Sequence, residues 1–197
     1  MCINFAPKVV SNSSPLIYLA KISKLDLIRD IYSRVWISEA VFNETVTKGK
    51  ALKITDASII EEAAGKWILI KTIDSETSQK YAFLDENDKI GLGEKQALKL
   101  CKQINADTLI ADDKEARRTA RLLRIKSIGS CGILIQAHKK GLISTSEAQQ
   151  ALNDLIKAEF RIDPTVYQTI INKLRKAQPN KVKNQWKPSS LHRSFKN

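Results

Sequence analysis

Short apolar runs separated by stretches with helical spacing constrain this chain more than any other feature. The runs lie at 9–11, 35–37, 67–70, 108–111 and 126–128. Between and after them, apolar residues recur three or four apart, as on one helix face. Ser14-Pro15 reads as a helix start, with Ser14 as N-cap and Pro15 at the first helical position. Leu16, Leu19 and Ala20 continue it, and Leu25, Ile28 and Ile31 mark a second segment. Ser38 is placed to cap a helix carrying Val41 and Glu44 on one face. Residues 51–64 read as helical, and 72–90 as polar and irregular. A helix is expected from about Glu94, with Ala97, Leu98 and Cys101 on one stripe. Asp113 is placed to cap a helix to about Leu123, and 131–139 is helical up to Gly141. Ser144 and Glu147 form a capping box, and Asp163-Pro164 opens a last helix to about Lys176. Strands alternating with helices imply an α/β fold with a parallel sheet covered on both faces by right-handed crossovers.

The 197 residues suit one domain with a full hydrophobic core. That domain is expected to span 1–177, with 144–177 as two extra amphipathic helices. Residues 178–197 carry five basic residues and no acid, and read as a basic, disordered tail. No apolar run approaches the roughly 20 residues of a spanning helix, and residues 1–7 lack the pattern of a signal peptide. Three cysteines without a CxxC pair argue against a disulfide framework or thiolate zinc site, and fit a reducing cytoplasm. The net charge of +12 attracts polyanions, of which nucleic acid is the commonest in a cell.

Ligands of a parallel sheet bind beyond the carboxyl ends of its strands. Asn12 follows the first strand, Glu44 lies on the helix after the second, Glu94 opens the helix before the fourth, and Asp112 ends the fourth beside Asp113. Oxygen ligands of this kind suit Mg²⁺ or Mn²⁺. Each residue also has a structural use. Glu94 suits a helix dipole, Asp113 an N-cap, and Glu44 a solvated helix face. Asp112 is harder to explain in that way, since Asp113 is available to cap. On the helix after Asp113, Lys114, Arg117, Arg121 and Arg124 share a face suited to RNA phosphates, or simply to solvent. His138 and His192 have no ligand-like neighbours in sequence and receive no role.

The segments VVSNSSPLIYLAKISKLDLI, VWISEAVFNET, GLGEKQAL, TLIADDKEARRTA and KSIGSCGILIQAHKKGLI resemble the PIN domain. They are most similar to the branch found in toxin–antitoxin-like loci, over about residues 8–143. The resemblance implies a three-layer α/β/α sandwich with a central parallel sheet of about five strands. It implies a Mg²⁺- or Mn²⁺-dependent endoribonuclease with catalytic Glu44, Glu94 and Asp112. The implied metal set is Asn12, Glu44, Glu94, Asp112 and Asp113, with Ser14 as the supporting small hydroxyl; the basic face read above gives Lys114, Arg117 and Arg121 as the expected RNA contacts. It also implies a small antitoxin partner and a homodimer. Asn12 departs from the aspartate of many PIN nucleases. An amide oxygen can coordinate a cation, but one negative charge is lost.

Two other readings compete with the nuclease. One is a catalytically weakened module that binds RNA or an antitoxin without cleavage, motivated by Asn12 and the basic tail. The other is a phosphoacceptor domain of the receiver type, which needs its acid pair after the first strand, where this chain has Asn12 and serines.

Overall fold

A computed structural model describes residues 7–52 and 55–176. In chain order the elements are β1 (Val9–Ser11), α1 (Ser13–Lys21), α2 (Asp26–Tyr32), β2 (Val35–Ser38), α3 (Glu39–Phe42), α4 (Lys48–Ala51), α5 (Thr55–Ala63) and β3 (Ile68–Lys71). There follow α6 (Ser75–Lys80), α7 (Leu92–Gln103), β4 (Thr108–Ile110), α8 (Lys114–Leu122), β5 (Lys126–Ile128), α9 (Ser130–Lys139), α10 (Thr145–Lys157) and α11 (Pro164–Lys176). The expected basic tail, 178–197, lies outside the described residues.

The strands form one parallel sheet in the order β3-β2-β1-β4-β5. Helices cover both faces, so the sandwich expected from the sequence is the fold observed. The central strand shows why. Successive side chains of a strand point to opposite faces, and both valines of β1 are fully buried. Val9 joins a cluster with Leu16, Ile28, Ile60, Ile133 and Leu152; Val10 joins another with Leu98, Leu109 and Ala116. The two extra helices contribute Ala148, Leu152, Leu155, Ile170 and Leu174 to the first cluster. His138 has a structural role there. Its buried ring nitrogens lie 3.1 Å from the carbonyls of Ile143 and Leu174, tying α9 to α11.

Several local expectations change. Asn12, not Ser14, caps α1; its backbone is extended and its side chain accepts from Ser13 N–H. Pro15 therefore sits at the third helical position. The helix after Ser38 is interrupted by a π-helical turn, Asn43–Thr47, before α4. Thr45 donates its hydroxyl to Val41 O at 2.8 Å, competing for a carbonyl that a regular turn would use. The segment 72–90, read as irregular, contains α6 capped by Asp74 and a short 3₁₀ turn, Ala82–Leu84. It is anchored by Lys99, only 4% exposed, whose ammonium bonds both oxygens of Asp85 at 2.9 and 2.7 Å. A buried lysine paired across 14 residues leaves no periodic trace in the sequence.

Candidate active site

After β1 the chain builds outward through β2 to β3, then returns to place β4 on the other side of β1. The C-terminal ends of β1 and β4 thus flank the switch point of the sheet, where a crevice opens. Ser11 pairs with Ile110, and Asn12 N–H donates to Ile110 O at 2.9 Å. Asn12 and Asp112 therefore leave neighbouring strands toward the same crevice.

Asn12 is 1% exposed, and its two amide atoms have separate tasks. Oδ1 accepts from Ser13 N–H at 2.7 Å, capping α1. Nδ2 donates to Glu94 Oε1 at 2.9 Å. The opposite amide orientation would set an oxygen against a carboxylate and an NH₂ against an N–H, so the network fixes this one. The group presented to Glu94 is thus a donor. The adjacent Ser13 acts in a similar way: its hydroxyl donates to Glu44 Oε2.

Asp112 is held differently. Its Oδ1 accepts from Ser130 N–H at 2.7 Å and its Oδ2 from the Ser130 hydroxyl at 2.6 Å. Ser130 opens α9, so the carboxylate accepts an N–H that has no partner within the helix. Burial pushes the Asp112 carboxyl above its usual range; the Ser130 bonds and the Arg117 charge only partly offset this. The neighbouring Cys131 thiol is pushed up to about 12 by burial and by the Asp112 charge, which leaves it inert as a nucleophile at neutral pH. Asp113 spends Oδ1 on Ala116 N–H at 2.7 Å as the cap of α8.

Three glycines make room for the carboxylates, and sequence reasoning assigned them no role. A Cβ on Gly93 would collide with the Glu44 carboxylate. One on Gly91 would lie 2.6 Å from Glu94 Oε2, and one on Gly129 would lie 2.7 Å from Asp112 Oδ1 and 3.2 Å from Arg117 Nη1. The visible signal was the glycine pair in GLGEK and the glycine of SIGS.

An open cleft of about 890 Å³ joins Ser14, Tyr18, Glu94, Asp112 and Asp113 to Glu159, Phe160 and Arg161. The last three come from the turn between α10 and α11 and were missed from sequence. Glu44 is not among the lining residues; Ser13 donates to its carboxylate, which packs against Gly93. Lys114 and Arg121 are exposed on α8 outside the lining, whereas Arg117 stands next to Asp112.

A family model of the PIN domain matches residues 8–176. The chain belongs to the PIN-domain family. No curated protein matches it. PIN domains are generally nucleases, and they typically use divalent metals. The fit of this PIN domain to a metal is specific in form. Among the described residues, no three His, Cys, Asp or Glu side chains gather as a metal-holding group. Glu94 and Asp112 in one cleft do fit a hard cation of the Mg²⁺ kind, which takes one or two carboxylates and completes its shell with water and phosphate. The lone pairs left on their oxygens permit ligation beside the hydrogen bonds described.

Proposed function

We propose that this PIN domain is a metal-dependent endoribonuclease that hydrolyses RNA phosphodiesters at the switch-point cleft. The pairing of Glu94 and Asp112 in that cleft carries the reading. A bound Mg²⁺ or Mn²⁺ supplies charge stabilisation and a more acidic water. Glu94 and Asp112 would hold it. Ser130 fixes the Asp112 carboxylate through both oxygens, and Asn12 fixes Glu94 through Oε1. Asn12 acts here as the donor that sets Glu94, its oxygen being committed to Ser13. Glu44, oriented by Ser13, adds negative charge beside the site. Arg117, beside Asp112, offers a guanidinium suited to a phosphate oxygen. Lys114 and Arg121 extend the basic track along α8, and Ser14 and Asp113 line the cleft with further oxygens. The resemblance to the toxin–antitoxin branch extends the proposal to a cytoplasmic toxin with a small antitoxin partner, and to a homodimer. Co-purification with a co-expressed neighbouring small protein tests that extension.

A second reading, an RNA- or antitoxin-binding module without cleavage, is favoured by one observation: an amide donor already occupies Glu94. An RNA cleavage assay with Mn²⁺, Mg²⁺ or EDTA separates the two. The nuclease reading expects cleavage that EDTA stops and that Asp112→Asn abolishes. Salt-sensitive RNA binding with intact RNA under every metal condition sinks the nuclease and supports the binding module.

A further inference from the structure

The wall of the cleft facing α1 comes from the turn that joins α10 to α11. Glu159 takes a positive φ of 68°, which reverses the chain. Glu159 N–H bonds Ile156 O, and Phe160 N–H bonds Leu155 O, each at 3.0 Å, closing the end of α10. This closure delivers Phe160 and Arg161 to the cleft. The Phe160 ring meets that of Tyr18 edge to face, with centroids 5.0 Å apart and an angle of 87°. Both rings are half-buried and rest against the hydrophobic core, so the pair is a fixed platform. The Lys21 ammonium stands 5.6 Å from the centroid of the Tyr18 ring.

The charge balance of this wall is informative. Glu94, Asp112, Asp113 and Glu159 line the cleft, and among the described lining residues Arg161 is the single cation. A polyanion approaching those carboxylates meets a matched charge in the described lining at Arg161, with Lys21 and Arg117 near the cleft. Aromatic rings beside a lone arginine suit one nucleotide, with a flat apolar base and an anionic phosphate.

We propose that Tyr18, Phe160 and Arg161 form a nucleotide subsite beside the carboxylates, where an unpaired nucleobase stacks on one ring of the perpendicular aromatic pair and Arg161 holds its phosphate. The inference rests on the nuclease reading for its location and deepens it by selecting unpaired strands. A duplex hides its base faces and cannot use the platform.

The test is binding in EDTA, so that it does not depend on cleavage. The probe is a short single-stranded RNA carrying one 2-aminopurine, with its perfect duplex as control. Wild type is expected to bind the single strand and quench the 2-aminopurine by stacking. Phe160→Ala should weaken single-strand binding about tenfold and leave duplex binding unchanged. Phe160→Leu, which keeps apolar packing but lacks a π-face, should lose the quench while unfolding near the wild-type temperature. Arg161→Gln should lower the slope of log affinity against log salt by about 0.7, one phosphate contact. Wild-type affinity and quenching in the Phe160 variants overturn the subsite, as does absence of single-strand binding by the wild type. A protein that binds and quenches as expected but never cleaves refutes the nuclease reading alone.

Discussion

Replacing Asn12 by aspartate restores the acid that many PIN nucleases carry, and the structure says what this should cost and return. The Nδ2 donor that sits 2.9 Å from Glu94 Oε1 becomes a carboxylate oxygen. The cap of α1 survives, because aspartate caps as well as asparagine. The bond to Glu94 is lost, and a hydrogen bond to a charged group is worth about 1.5–3 kcal/mol. Two unit charges about 4 Å apart at an effective dielectric near 20 repel by about 4 kcal/mol, an upper bound that proton uptake relieves. A net destabilisation of about 2–4 kcal/mol in EDTA follows, or about 5–15 °C in unfolding temperature for a domain of this size. Mn²⁺ should return much of it, since a ligand at 100 times its Kd stabilises by about 2.7 kcal/mol. The sign with pH is fixed as well. Repulsion raises a carboxyl pKa in the folded state above its unfolded value, so the penalty is full at neutral pH and shrinks as acid protonates the pair. Thermal unfolding of both proteins, with EDTA and with Mn²⁺ across pH, measures each contribution. An Asn12→Asp protein that melts with wild type in EDTA, and gains no more from Mn²⁺, would refute the donor role of Asn12.

Two further substitutions probe the other carboxylates. Burial raises the Asp112 carboxyl in the folded state, so its ionisation opposes folding as pH rises above the ordinary carboxylate range. Asp112→Asn should therefore unfold at a higher temperature than wild type at pH 7, with the gain vanishing in acid, while metal-dependent cleavage is lost; a lower unfolding temperature at neutral pH would contradict this. Gly93→Ala puts a methyl group where the Glu44 carboxylate lies, breaking its bond with Ser13. It should destabilise the fold by about 1–3 kcal/mol, as overpacking does, and denaturant unfolding at wild-type stability would show that Glu44 is not held there.

The division between what sequence carried and what it did not follows from the range of each interaction. Alternation of apolar runs with helical spacing is local, and it is enough to specify a parallel sheet and its two covered faces. The boundaries moved only by a residue or two where caps decided them, as at Asn12 and Gly129. The segment 72–90 was opaque because its buried apolar residues, Leu84 and Ile90, are irregularly spaced and because Lys99 anchors it through Asp85 from a later helix. The candidate residues could be named from their places at strand ends and on the helices beside them, since a sheet delivers those ends to one edge. Their individual environments could not. Asn12 meets Glu94 across 82 residues and Asp112 meets Ser130 across 18, and such pairings depend on how the crossovers close. The sequence by itself therefore determined the fold class and the edge where chemistry can occur. Only the tertiary structure decided that Asn12 turns its nitrogen, not its oxygen, toward Glu94, and that the turn after α10 walls the cleft. Both are settled by three-dimensional hydrogen bonding and packing, which no short-range pattern encodes.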